Sequence, residues 1–353
     1  MLVRLTPPGR QGIVLAMVLV LALLLSTTII TFMRQAVVDK MVAHNRDSSA
    51  EAEALARGGI RLAAALILDD ALIEADPQGS GSSGATLNSR WNRIQEMEIE
   101  TDHGGVLRVK ILDTGARLNL NALVDPLESS DDLDQTEAEE FLVALLEKVI
   151  AEIELPEGEK FYEPRDLARS LIDYIDPNKS ALGARGSEDD YYQKQTPPYR
   201  AANRPLLSVA ELRLVEGFDA KLVDALTPYV TVYPLGGRFG LNINTAPPHA
   251  LTTMYHGTSA DRRLVSTDSV QQLLQLRDEG RIVCDQTETD SDQCVPLGDI
   301  FDGSLYPPVT LPATASTFEI VSTATFADIT RQLEVVLDRS DPSQPRLLSW
   351  RYR

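Results

Sequence analysis

The sequence predicts an α+β fold. A long N-terminal helix packs on a small antiparallel sheet, and a large helical domain is inserted in that sheet. Three observations predict it. Residues 13–33 are apolar and uncharged, and helix-friendly sequence without proline continues to about Asp69. Two strand-pair patterns lie far apart, near residues 97–111 and 318–337. The roughly 190 residues between them, 119–308, read mainly as helix.

Composition narrows the function. The 353 residues allow about two or three compact units. Lys+Arg is 33 against 52 Asp+Glu, and the net charge of −19 repels nucleic-acid phosphate. An apolar fraction of 43% supplies a core. Two cysteines exclude a disulfide-dense mini-fold and a four-cysteine zinc site. Four histidines, at positions 44, 103, 249 and 256, leave little for a histidine metal cluster.

At the N-terminus, residues 1–12 contain Arg4 and Arg10 and no acid, and Ile13 to Met33 carries no charge. At about 1.5 Å per residue, some twenty such residues span a hydrocarbon core of about 30 Å. The basic flank precedes the run, so the N-terminus is expected in the cytoplasm and the bulk outside. A cleaved secretory signal, a plain single-span anchor and a leader removed ahead of the apolar run are the three readings. A secretory signal would show a shorter apolar core followed by a small-residue cleavage site.

Beyond the apolar run, Val38, Val42, Leu55, Ile60, Ala63, Leu66 and Ile67 recur at near-helical spacing, so the helix is expected to continue outside the membrane. Gly58-Gly59 predicts a local weakening or bend. Asp76-Pro77 ends the helix. The following Gly/Ser loop holds a formal G-x-G-x-x-G from Gly79 to Gly84, but no strand precedes it, so a dinucleotide site is rejected.

Met97 and Ile99 alternate with glutamates, and Leu107, Val109 and Ile111 with Arg108 and Lys110. Asp102-His103-Gly104-Gly105 turns between them, and opposite charges on the polar faces are placed to pair. In the helical region, Thr136 followed three residues later by Glu139 reads as a capping box. Leu167, Leu171, Ile172 and Ile175 predict a second helix. Val209 to Val230 reads as two short helices broken at Gly217. Ala246 to Tyr255 and Val270 to Arg277 read as further short helices. At the end, Phe318, Ile320, Ser322 and Ala324 face one way, as do Arg331, Leu333, Val335 and Leu337, with Ala327-Asp328 as the turn.

The join Arg10-Gln11-Gly12-Ile13 resembles the leader of type IV pilin-like proteins, which prepilin peptidase cuts after the glycine. That resemblance makes Ile13 the mature first residue and implies its N-methylation. Most such proteins carry Glu at mature position five, where this chain has Met17. Minor pseudopilin K of the type II secretion system characteristically lacks that Glu, and the chain resembles this family over nearly its whole length. The matching stretches begin with Arg117-Leu-Asn-Leu-Asn-Ala-Leu123, Leu171-Ile-Asp-Tyr-Ile-Asp176 and Glu188-Asp-Asp-Tyr-Tyr192. They continue with Pro198-Tyr-Arg-Ala-Ala-Asn-Arg-Pro-Leu206, Pro228-Tyr-Val-Thr-Val-Tyr233 and Asn242-Ile-Asn-Thr-Ala-Pro247. The resemblance implies a pilin-like fold in five segments: leader 1–12, transmembrane 13–33, pilin-like 34–118, inserted helical domain 119–308, and final strands and tail 309–353.

What the resemblance implies about function is structural. A subunit of the inner membrane, single-pass with a periplasmic body, would sit at the tip of a short periplasmic fibre that helps export folded proteins. Its partners would be minor pseudopilins I, J and H, with prepilin peptidase as processing enzyme. A type IV pilus minor pilin, or a single-span anchored periplasmic helix-hairpin-helix binding protein, is the alternative. Glu211-Leu-Arg-Leu-Val-Glu-Gly217 and Asn242 to Leu251 resemble helix-hairpin-helix units, but Glu216 and Asp219 would repel phosphate, so no nucleic-acid partner is expected. The sequence has no H-E-x-x-H, G-x-S-x-G or P-loop, and no enzyme is expected.

Two candidate sites remain. Cys284 and Cys294, in the oxidising compartment that the topology argument implies, are expected to form a disulfide; two free thiols are the alternative. Asp173, Asp176, Glu188, Asp189 and Asp190 bracket a loop rich in Gly, Ser and Asn. Hard oxygen ligands of this kind suit calcium, which takes about six to eight. No EF-hand spacing is present, and a solvated acidic loop is the alternative. The family resemblance implies calcium in this domain.

Overall fold

The computed structural model describes residues 10–74, 90–124, 132–154, 161–182, 187–235, 241–258, 261–284, 294–306, 315–341 and 343–352. Leader residues 1–9, the glycine-rich loop 78–84 and segment 285–293 lie outside them.

Helix α1 runs unbroken over Arg10–Glu74. At about 1.5 Å per residue it is roughly 100 Å long. Its first half, from Ile13 to Asp47, is exposed, and the helix is long and apolar enough to cross a membrane. In its second half Ala52, Ala56, Ile60, Ala63, Ile67 and Ala71 are buried, three or four residues apart, as one face of a helix requires. The helix is not interrupted at Gly58-Gly59. Gly59 instead lies against the sheet. A Cβ there would run into Ser322 Oγ and come within 2.9 Å of Leu107 Cδ1, whereas one on Gly58 would meet nothing within 4 Å. The glycine serves close helix–sheet approach.

Helix α2 (Arg90–Arg93) buries Trp91, whose ring meets Phe318 edge-on at 5.2 Å. Strands β1 (Glu98–Glu100) and β2 (Gly105–Asp113) form the first hairpin, turning at Gly104 with φ +79°. The expected cross-strand charge pair is present, with Arg108 Nη2 2.8 Å from Glu98 Oε2.

After Asp113 the chain leaves the sheet. The first lobe of the excursion contains β3 (Leu118–Asn119), α3 (Asp132–Ala151), α4 (Pro164–Ile175), α5 (Asp189–Tyr192), α6 (Ala220–Leu226) and β4 (Val230–Thr231). Its core includes Leu142, Leu146, Leu171, Leu206, Leu212 and Leu222. Helix α3 begins ahead of Thr136, so the expected capping box falls inside the helix. Gly217, with φ +89°, separates a 3-10 turn from α6, as its position predicted.

A second lobe follows: α7 (Pro248–Leu251), β5 (Tyr255–Thr258), β6 (Asp261–Leu264), α8 (Thr267–Asp278), β7 (Ile282–Cys284), β8 (Cys294–Pro296) and β9 (Ser304–Tyr306). It has its own core around Ile243, Leu251, Met254, Leu273 and Phe301. The insertion is therefore not wholly helical. The helix expected up to Tyr255 stops at Leu251, and the chain turns into a three-stranded sheet ordered β6-β5-β9, with Gly257 at φ +125°.

The chain rejoins the main sheet as β10 (Thr317–Phe326), β11 (Ile329–Asp338) and β12 (Arg346–Tyr352). The main sheet has the antiparallel order β1-β2-β10-β11-β12, with α1 across one face. Its hydrogen bonding stops at Asp113 and resumes at Thr317, so the excursion is longer at both ends than 119–308.

Asparagines hold each lobe together from within. Asn119 Oδ1 accepts from Asn121 N at 3.0 Å, and Asn242 Oδ1 accepts from Asn244 N at the same distance. Asn121 clamps Leu206 through both its N–H and C=O, and Asn244 clamps Val283 likewise. The two L-N-x-N segments thus do one job in two lobes. Buried Asp113, last in β2, accepts from Gly115 N, Asn242 Nδ2 and Thr245 Oγ1 at 2.7–2.8 Å, anchoring the second lobe to the sheet.

Candidate metal centre

Helix α4 starts at Pro164, pre-set for a first helical position. Its apolar stripe Leu167, Leu171 and Ile175 faces the first-lobe core. That orientation carries Asp173, in its last turn, and Asp176, at its C-cap, to one side of the helix end, three residues apart. Glu188, just ahead of α5, meets them there. One carboxylate oxygen from each of Asp173, Asp176 and Glu188 lies within 4.8 Å of the others, and all three residues are buried.

The second oxygens are held in place. Asn178 Nδ2 donates to Asp176 Oδ2 at 2.8 Å, Leu182 N to Asp173 Oδ1 at 2.9 Å, and Asn203 Nδ2 to Glu188 Oε2 at 3.1 Å. Asp176 Oδ1 and Glu188 Oε1 are buried without a hydrogen-bond partner. Burial, then the neighbouring Glu188 and Asp173 charges, push the Asp176 carboxyl up to about 7. Burial is also the main cause raising Glu188, with Asn203 opposing it. The C-terminal end of α4 adds partial negative charge to the same point.

Three buried carboxylates converge, and Asp176 Oδ1 and Glu188 Oε1 among them are orphaned, an arrangement that a cation would neutralise. The donor set is all hard oxygen, which suits calcium. Asp173, Asp176 and Glu188 are the residues that would hold it, and bound cation would supply charge neutralisation and cross-link α4 to α5.

Of the five acids singled out from sequence, Asp189 and Asp190 stand apart. Asp189 Oδ1 accepts from Ala201 N at 3.1 Å, and Asp190 is exposed. Sequence reasoning missed Asn178 and Asn203, which orient the carboxylates. Asn203 adopts φ 45°, a conformation asparagine tolerates better than most residues, within the Pro198–Leu206 motif. The second candidate site is formed: Cys284 and Cys294 are disulfide-bonded, with Cα atoms 5.7 Å apart, joining β7 to β8.

The sequence profile of the family described as "Type II secretion system (T2SS), protein K" matches residues 116–235, which contain the carboxylate cluster. Type II secretion system protein K of Klebsiella pneumoniae is 30% identical over 269 residues, covering 76% of this chain and 75% of the relative. That of Aeromonas hydrophila is 33% identical over 162 residues, 46% of this chain and 47% of the relative. That of Pseudomonas aeruginosa is 32% identical over 200 residues, 57% of this chain and 54% of the relative. The chain thus spans about half the length of the last two. The fold resembles a chain in the crystal structure of the GspK-GspI-GspJ complex from the enterotoxigenic Escherichia coli type 2 secretion system. The TM-score is 0.59 at 20% identity, covering 88% of this chain and 99% of that one.

Proposed function

The chain belongs to the type II secretion system protein K family, and from that premise we propose that it is a minor pseudopilin capping the tip of a periplasmic pseudopilus. The observation that carries this reading is helix α1. Its first half exposes an apolar surface over Ile13 to Met33, and its second half is a sheet-packed stem. Such a helix supports one body by membrane insertion and by side-by-side packing with like helices. In this reading the N-terminus is cytoplasmic, the bulk is periplasmic, and prepilin peptidase cuts between Gly12 and Ile13 in the inner membrane. N-methylation of the new Ile13 amine, a separate methyl transfer, is part of the same reading by family resemblance.

Tip placement follows from two features. Met17 stands where other pilins carry a Glu that pairs with the amine of the subunit ahead. A carboxylate in lipid is costly unless paired, so a subunit with nothing ahead of it gains by losing it. The two-lobed excursion between β2 and β10 adds bulk that a fibre end accommodates and a shaft does not. The matched complex contains I and J proteins, which supports pseudopilins I and J as partners here; H completes the set. Calcium held by Asp173, Asp176 and Glu188 would stiffen the first lobe. The role is assembly, not catalysis.

One preparation tests the reading. Full-length chain, co-expressed with prepilin peptidase and with pseudopilins I and J, is extracted in detergent and purified by a tag on this chain. A three-component complex in which this chain begins at Ile13 is expected. An intact Met1 terminus, or failure to retain I and J, contradicts it.

A further inference from the structure

We propose that the open edge of β12 is a docking edge for an acidic, extended segment of a partner protein, which adds to the sheet as a further strand. In the main sheet β12 has β11 as its one neighbour, so its outward N–H and C=O groups have no strand partner among the described residues. Exposed edges are ordinarily kept short or blunted by inward charge or proline. This one is seven residues long and presents Leu347, Trp350 and Tyr352, which are 57%, 43% and 51% exposed. Trp, Tyr and Arg are the residue types that most often carry interface energy. Trp350 pairs with Val335 and Tyr352 with Leu333, core residues of the face covered by α1. The two rings therefore stand on the helix side of the sheet, beyond the buried core.

Charge identifies the occupant. Within β12, Arg346 lies across from Asp338 and Arg351 across from Glu334, so the unbalanced positive charge lies beyond its C-terminal end. The C-terminal end of β12 leads to a groove of about 540 Å³ between α1 and the start of β11, lined by Arg46, Ser49, Glu53 and Arg331 among others. Glu53 connects the two features, since Tyr352 Oη donates to Glu53 Oε1 at 3.2 Å. That carboxylate is matched by Arg57, 2.6 Å away, whereas Arg331 donates to the neutral Ser49 Oγ. The groove is left cationic. A strand running along β12 would turn the carboxylates of its helix-side face toward Arg331 and Arg46 at the groove, while Arg351, on the other face, lies across from Glu334. The opposite edge of the sheet, β1, carries Glu98 and Glu100 and repels such a segment.

The test uses full-length chain in detergent and a fluorescein-labelled nine-residue peptide alternating glutamate with valine. Two controls are a lysine–valine peptide and a glutamate–valine peptide whose two central residues are proline. Fluorescence anisotropy should show saturable binding of the first peptide, at least tenfold weaker for either control. Hydrogen exchange should slow at the β12 amides. Arg331→Glu, an exposed change checked for unaltered thermal unfolding, should weaken binding at least tenfold, and Arg46→Glu likewise. Absence of saturable binding, equal binding of the proline peptide, or indifference to both substitutions overturns the proposal. So does a homodimer formed through β1 of a second copy that excludes the peptide.

Discussion

Asp176 is fully buried beside Asp173 and Glu188, with one oxygen unpartnered. In metal-free protein its carboxyl holds its proton up to about pH 7, against an ordinary value of 3.8. Between those values the native state binds more protons than the unfolded chain, so stability falls as pH rises through that window. Asp176→Asn should flatten this dependence and raise the melting temperature at pH 8 in chelator. It should also abolish the rise that calcium produces in the parent protein, which at one hundred times Kd corresponds to about 2.7 kcal/mol. Thermal unfolding with chelator and with calcium across pH measures both; an unchanged calcium response in the variant would place the ion elsewhere. Sequence alone located the acids but not their choice. The five acids were legible as bracketing one loop, whereas adjacent Glu188 and Asp189 make different contacts, with Asn203 and Ala201, that only the fold decides.

At the scale of elements, α1 and the main sheet meet through Gly59. Gly59→Val should drive α1 off β2 and β10 and cost roughly 2–3 kcal/mol, as overpacked cores do. Gly58→Ala, facing open space, should stabilise by about 0.5–1 kcal/mol. Denaturant unfolding of the pair reads the contrast, and equal effects would show that the close approach does not hold α1. Reducing the Cys284–Cys294 bond, which closes a separation of 10 residues, should cost roughly 2–3 kcal/mol. Its effect should appear as earlier hydrogen exchange in the second lobe while the main sheet stays protected; uniform loss of protection would contradict two separate cores. The strong periodicities of α1, α4, α8 and both hairpins were legible in the sequence. Strands β5, β6 and β9 were not, because each is only three or four residues long and its pairing is set by tertiary contact. The Gly59 contact was invisible for the same reason: a glycine pair reads as a bend until its neighbour is known.

At the scale of the whole molecule, one stem carries three cores: sheet and helix, helical lobe, and mixed lobe. The proposed tip position rests on the bulk that the excursion between Asp113 and Thr317 adds to the sheet. The layout, an insertion within a split sheet behind an apolar helix, was readable from the two distant hairpin patterns. The division of the insertion into two lobes was not, since the Asn119 and Asn242 segments reveal their equivalent roles only through their hydrogen bonds. The tip assignment is tested most directly by electron microscopy of pseudopili assembled with this chain carrying a gold-binding tag at its C-terminus. Gold at one end of each fibre, and none along the shaft, is the predicted result. Gold distributed along the shaft would contradict it.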